Sequence, residues 1–248
     1  MNTLTPPSRG ESSPIIDPII RAELFPGTEL TLATEQERVA QWQKTGEATG
    51  PKHIGMLDLD PDVLEAIKRE ATFDFCSLDY DYFSDDEERA SDAAALEKIP
   101  LMSVDARKVL GDLLSTFIDI TEQDRSRSDL GDEYIRAPTY MYIGMYKYSE
   151  LDPHIDLGFG GYVPRYIATI AGPSTLFYTG KTDPRKFSEE QVSDPVESID
   201  YPTISSGTNV IDRFAADCDP HSTPIVDEPV FRITIISQFH PKRPYYDV

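Results

Sequence analysis

The sequence predicts an α+β fold, with helices gathered in the N-terminal half and a sheet in the C-terminal half. Three observations carry that reading. Leu110, Leu113, Leu114 and Phe117 recur at three- and four-residue spacing, which is one buried stripe of a helix. Tyr140, Tyr142, Gly144, Tyr146 and Tyr148 alternate with Met141, Ile143, Met145 and Lys147, the two-residue period of a strand. Further β-rich runs at 166–171, 174–178, 208–214 and 231–239 are separated by clusters of Gly, Pro, Asp and Ser. Helices first and strands afterwards is the order of an α+β chain.

Residues 1–20 contain Pro6, Pro7, Pro14 and Pro18 among small polar residues and read as a loose arm. The remainder, 21–248, fits a single domain, helical over about 31–122 and strand-forming over about 138–240. One helix is expected over 31–44. A second follows Asp60-Pro61, an N-cap with a proline in the first turn, and a third starts near Ser103. Between them, the segment from Phe73 to Phe83 alternates aromatic and acidic residues and runs into Asp85, Asp86, Glu87 and Glu88. It reads as a strand or as a loop near a substrate entrance; an edge segment with a solvated acidic face is the simpler account.

The chain carries 23 Lys and Arg against 44 Asp and Glu, a formal charge of −21 over 248 residues. Such a field repels polyanions, so nucleic acid and anionic membrane are poor partners, and the acidity is read as a solubilising surface. Cys76 and Cys218 lie far apart and form neither a disulfide framework nor a zinc-knuckle spacing. The N-terminus lacks the basic start and apolar stretch of a secretory signal, and no later run approaches the roughly 20 apolar residues that span a bilayer. These features lead us to expect a cytoplasmic protein. Oligomeric state is not legible in the sequence.

His154-Ile155-Asp156 is the feature richest in chemistry. In an extended strand the two outer side chains share a face, so both can point into one cavity while Ile155 points away. Two imidazoles and one carboxylate can occupy one face of an octahedral iron and leave the other positions open. His221 is the best second imidazole, because neither His53 nor His240 has a carboxylate at this spacing. The chain has only four histidines, so two in one candidate set weigh more than they would in a His-rich protein. On the strand over 231–239, Arg232, Thr234, Ile236 and Gln238 share one face, and Phe231, Ile233, Ile235 and Phe239 the other. A guanidinium amid β-branched and aromatic residues is costly to bury unless it meets an anion, and a carboxylate can accept two parallel hydrogen bonds from it. A double-stranded β-helix, the jelly-roll or cupin-like core with the N-terminal helices packed on it, is the architecture that best accommodates such a site.

The set H-x-D, a distal His, and R-x-S/T soon after resembles the signature of the Fe(II)/2-oxoglutarate-dependent dioxygenase superfamily. The resemblance covers about residues 138–240 and is carried by His154, Asp156, His221, Arg232 and Thr234. It implies that the first three bind Fe(II), and that Arg232 and the Thr234 hydroxyl hold the distal carboxylate of 2-oxoglutarate. The lead-in from Tyr146 to Pro153 is also similar to the family, so Tyr146 or Tyr148 is a candidate for a hydrogen bond to the cosubstrate. Aromatic core packing accounts for either tyrosine equally well. Gly158-Phe159-Gly160-Gly161 is no phosphate loop and fits a tight turn beside the metal. In related halogenases the carboxylate position holds Gly or Ala. The retained Asp156 therefore implies hydroxylation, or another oxidation that uses O2, 2-oxoglutarate and substrate and releases succinate and CO2.

The acidic surface and the lack of an appended recognition domain favour a small-molecule substrate, a free amino acid or a natural-product intermediate. Arg165 is a candidate for binding a substrate carboxylate, with a salt bridge as the plainer account. The tail at Pro244-Tyr245-Tyr246 either closes over the site or docks without consequence. Three alternatives stay open. One is a cupin-like metal enzyme that does not use 2-oxoglutarate and whose Arg232 binds its own acidic substrate. Another is a non-catalytic ligand-binding barrel, and the last is a zinc site recruiting Cys218.

Overall fold

Period-two alternation, where the sequence shows it, becomes strands that bury both faces. The structure, a computed structural model, describes residues 19–28, 31–71, 76–80, 102–131, 134–137, 139–148, 153–156, 163–181, 202–216 and 218–241. In chain order these form β1 (Ile20–Leu24), α1 (Leu32–Thr45), β2 (Glu47–Ala48), β3 (Lys52–Leu59), α2 (Pro61–Glu70), β4 (Cys76–Tyr80) and α3 (Val104–Ser126). There follow β5 (Tyr134–Arg136), β6 (Thr139–Tyr148), β7 (Pro164–Ala171), β8 (Leu176–Tyr178), β9 (Gly180–Lys181), β10 (Thr203–Ser205), β11 (Val210–Ala215), β12 (His221–Ser222) and β13 (Val226–Pro241). The large sheet is antiparallel throughout, ordered β1-β3-β11-β7-β13-β6-β4, with β5 added on β13. A second sheet has the order β10-β8-β12, and β2 pairs with β9.

The expected helices form where their caps lie. Gly46, at φ 73°, closes α1 by donating its N–H to Trp42 O at 2.6 Å, a left-handed C-cap that glycine adopts without strain. The Asp60 carboxylate accepts the N–H groups of Asp62 and Val63 ahead of Pro61, and Ser103 Oγ accepts the Ala106 N–H. Leu110, Leu113, Leu114 and Phe117 of α3 are buried in one core with Met141 and Ile143 of β6 and Phe231, Ile233, Ile235 and Phe239 of β13. This is the stripe expected from the sequence, met by the odd-numbered faces of two paired strands. On the other face of the sheet Ile167 and Phe214 pack against Phe177 of β8, with rings of Phe177 and Phe214 5.1 Å apart. The small sheet therefore faces the large one, and the cavity lies between them.

Two boundaries differ from expectation. The stretch 31–122 is not helical throughout, because β3 crosses it as an inner strand of the large sheet. Its alternation is broken at Gly55, where a Cβ would meet Glu23 O at 2.4 Å; the missing side chain lets β1 pair closely and hides the strand in the sequence. Ile20, expected within the N-terminal arm, already pairs with Leu59 in the sheet. Residues 1–18, Phe73 to Phe75, all of the acidic segment after Tyr80, the glycine run 158–161 and the tail at 244–246 lie outside the described residues. Residues 76–80 do form a strand, at the edge of the sheet beside β6. Among the described residues no helix is long and apolar enough to cross a membrane.

A buried polar seam fixes α3 on the sheet. The Asp124 carboxylate, fully buried, pairs with Arg213 of β11 and accepts the Tyr166 hydroxyl at 3.0 Å, while Arg213 also donates to Thr28 O at 3.0 Å. Removing one member strands the other charge in a dry interior. Asp124→Ala should therefore cost about 3–5 kcal/mol in urea unfolding. Lys108→Ala, which breaks the exposed Lys108–Asp112 pair, should cost about 0.5 kcal/mol or less. Equal losses for the two would refute this account of the seam.

Candidate metal centre

The two histidines are brought together by backbone pairing. His154 N donates to His221 O and His221 N to His154 O, each at 2.9 Å, an isolated antiparallel bridge that joins the segment after β6 to β12. Side chains directly opposite in such a bridge fall on one side, and the imidazoles stand 4.5 Å apart between centroids. Asp156 turns back towards both. Its Oδ1 is 3.8 Å from His154 Nε2 and its Oδ2 3.3 Å from His221 Nε2. Both spacings fall within the roughly 4.2 Å that two ligands of one ion can span at bond lengths near 2.1 Å. Candidate ligand atoms of all three residues lie within 4.8 Å of one another.

The hydrogen bonding of His221 suits ligation. Its Nδ1 lies 3.0 Å from Asp219 O, a carbonyl that can only accept, so Nδ1 is committed as a donor and Nε2, 3.3 Å from Asp156 Oδ2, is the ring nitrogen turned to the cluster. Burial would raise the pKa of Asp156, but the hydrogen bond and charge of His221, with Arg165 and His154, bring it down to about 2. The carboxylate is thus ionised across the neutral range.

A cavity of about 310 Å³ opens over the cluster, lined by His154 and His221 and by the even-numbered face of β13. Arg232 is 6% exposed and Thr234 2%. The Arg232 guanidinium donates through Nε to Pro173 O at 3.0 Å and lies 4.8 Å over the Tyr146 ring. Among the described residues no carboxylate pairs with it, and burial draws its pKa below the ordinary arginine value. Among the described residues the Thr234 hydroxyl, buried on the same face, has no hydrogen-bond partner. Gly172 makes this arrangement possible: at φ 81°, its missing Cβ would meet Phe231 O at 2.6 Å and the Arg232 Cα at 3.2 Å.

The structure also places the remaining sequence candidates. Tyr146 and Tyr148 line the cavity and stack with centroids 6.1 Å apart; the Tyr146 hydroxyl donates to Pro224 O at 3.3 Å, so its ring is what it offers Arg232. Arg165 lines the same cavity, forms an ion pair with Asp156 and donates through Nε to Gln238 Oε1 at 2.8 Å. Cys218 is buried in the helix-facing core and is not a member of the cluster. His53 pairs with the buried Asp212, and His240 Nδ1 bonds to Pro241 O, both away from the triad. Sequence reasoning passed over Asp219 and Gly172. The only trace of the former is an acidic residue two positions before His221, and of the latter a Gly-Pro pair at the end of β7.

Ligands on three separate backbone positions should act as one site. Mn(II) titration followed by electron paramagnetic resonance should show one ion bound per chain, lost in His154→Ala and in His221→Ala. Binding that survives both substitutions would place the metal elsewhere.

No protein-family model matches the sequence, and no curated protein does. Among solved structures the chain is similar to AviO1 from Streptomyces viridochromogenes Tue57, at 14% identity over 83% of this chain and 96% of that one, with a TM-score of 0.43. It is similar to HygX from Streptomyces hygroscopicus with nickel and 2-oxoglutarate bound, at 11% identity over 75% and 88% of the two chains, with a TM-score of 0.38. It is also similar to SnoN, a non-heme alpha ketoglutarate dependent epimerase from nogalamycin biosynthesis, at 16% identity over 73% and 84%, with a TM-score of 0.37.

Proposed function

We propose that the chain is an Fe(II)- and 2-oxoglutarate-dependent oxygenase with a jelly-roll core, hydroxylating a small molecule. The carrying observation is Arg232, a buried cation without a carboxylate partner among the described residues, facing the same cavity as a His-Asp-His cluster. A buried charge needs an anion. The distal carboxylate of 2-oxoglutarate would accept from the guanidinium and from the Thr234 hydroxyl, while the 2-oxo acid end would reach a metal held by His154, Asp156 and His221. With both bound, the site would supply oxidising power from O2, converting 2-oxoglutarate to succinate and CO2.

The protein's own share is orientation. The ring of Tyr146 holds the guanidinium in plane, and the Pro173 carbonyl fixes its Nε edge. Ile167, Phe214 and Ile236 provide an apolar wall that keeps water from the reacting centre. The cavity size suits a free amino acid or a natural-product intermediate and not a polymer, and the charge of −21 disfavours nucleic acid.

Anaerobic addition of 2-oxoglutarate to the Fe(II)-loaded protein should produce the weak visible charge-transfer band of the chelate. Amino acids screened against that band should reveal a substrate by perturbing it, and oxygen should then yield succinate. Turnover that persists without 2-oxoglutarate would replace this reading with a cupin-like enzyme, and metal binding without any turnover would leave a binding barrel. Gly172→Ala should weaken 2-oxoglutarate binding, because the new Cβ displaces Arg232, while Mn(II) affinity stays unchanged. An unaltered 2-oxoglutarate affinity in that variant would contradict the close-approach argument.

A further inference from the structure

We propose that Arg38, on α1 and outside the metal cavity, is a positioning residue for His221 that acts through Asp219. The inference rests on the metal reading above. Arg38 Nη1 donates to Asp219 Oδ1 at 2.6 Å and Nη2 to Oδ2 at 2.9 Å, a two-point grip that only a guanidinium can make. The far edge of Arg38 is fixed in turn by Glu35 at 2.8 Å and by the Thr49 hydroxyl at 3.2 Å.

Asp219 is fully buried and committed at every polar group. Its Oδ2 accepts the Ala215 N–H at 2.7 Å, its own N–H donates to Ala215 O at 3.0 Å, and its carbonyl accepts His221 Nδ1 at 3.0 Å. The turn from the end of β11 to β12 is therefore cross-braced around one carboxylate, and the last brace sets the ring of a metal ligand. A lone carboxylate at that depth is unstable. Arg38 supplies the compensating charge: burial alone would lower its pKa, but Asp219 outweighs burial and holds it above the ordinary value. Without the guanidinium, the Asp219 carboxylate loses its two-point anchor to α1 and keeps only the Ala215 N–H, so the brace around residues 215, 219 and 221 and the direction of the His221 ring are loosened. Outer partners of this kind typically carry about 10–100-fold in metal affinity.

The test uses Mn(II) affinity, read by electron paramagnetic resonance well below the melting temperature, alongside thermal unfolding. Arg38→Gln should weaken Mn(II) binding by about tenfold or more. Arg38→Lys should recover part of that loss, since an ammonium can reach one carboxylate oxygen but not both. Arg136→Gln serves as the comparison: Arg136 braces Glu122, Thr121 and Ser237 on the helix side of the sheet, so its loss should lower the melting temperature and leave Mn(II) affinity unchanged. Mn(II) affinity in the Arg38 variants equal to that of the unsubstituted protein overturns the proposal, as does an equal weakening in Arg136→Gln. Should Arg38→Gln fail to fold, Arg38→Lys alone decides, with weaker binding expected and unchanged binding refuting. Failure of the unsubstituted chain to bind Mn(II) refutes the metal reading itself, and this inference with it.

Discussion

The pleat of β13 is the constraint on which the rest of the molecule depends. Its odd positions, Phe231, Ile233, Ile235 and Phe239, are sealed against α3 and β6, and its even positions, Arg232, Thr234 and Ile236, face the cavity. Because successive side chains point to opposite faces, a slip of one residue would drive a guanidinium into the hydrophobic core and expose four large apolar groups. Register is therefore enforced by the core, and the site inherits it. Pairing with β6 on one side and β7 on the other holds the strand from both edges. The cation-π partner Tyr146 and the carbonyl of Pro173 are delivered by those same neighbours.

Charge is distributed over the two faces by different rules. Towards the helices, among the described residues, Arg213 meets Asp124 and Arg136 meets Glu122. On α1 Arg38 meets Asp219, and within the cavity lining Arg165 meets Asp156. Arg232 breaks the pattern, holding an aromatic ring and a carbonyl where its equivalents hold carboxylates. Neither contact neutralises a full charge in a medium of low polarity. Among the described residues Arg232 is thus a buried arginine that faces the cavity without a carboxylate, the feature on which the proposed anion site rests.

Much of this was legible in sequence, for identifiable reasons. The alternation at 140–148 and 231–239 assigned the faces of β6 and β13 correctly, since both strands lie inside the sheet and carry the pattern over many residues. Two of the helices were marked by N-terminal signals that act locally, at Asp60 and Ser103, while the left-handed Gly46 that closes α1 was shown by the structure. His154 and Asp156 were legible as a pair because a strand-like spacing puts them on one side, and His221 was chosen as the second imidazole; the two-hydrogen-bond bridge that joins it to His154 is what the structure adds. What stayed hidden depends on contacts distant in sequence. β3 was masked by Gly55, whose role is to admit β1, and β12 is too short to show a period. The grip of Arg38 on Asp219 joins a helix surface to a turn far along the chain, and no local pattern reports it. Arg165 carried a salt bridge as its plainer reading, and the structure gives it that partner in Asp156 itself.

The central claim, that Arg232 is held for the distal carboxylate of a 2-oxo acid bound at the triad, is tested most directly by removing that carboxylate from the ligand. Anaerobic calorimetry on the Mn(II)-loaded protein would compare 2-oxoglutarate with 2-oxobutyrate, which keeps the metal-binding end and lacks the second carboxylate. Hydrogen bonds to charged groups are worth about 1.5–3 kcal/mol, so 2-oxoglutarate should bind about tenfold to a hundredfold more tightly. That preference should vanish in Arg232→Ala. Equal affinities in the unsubstituted protein, or a preference that survives the substitution, would contradict the account.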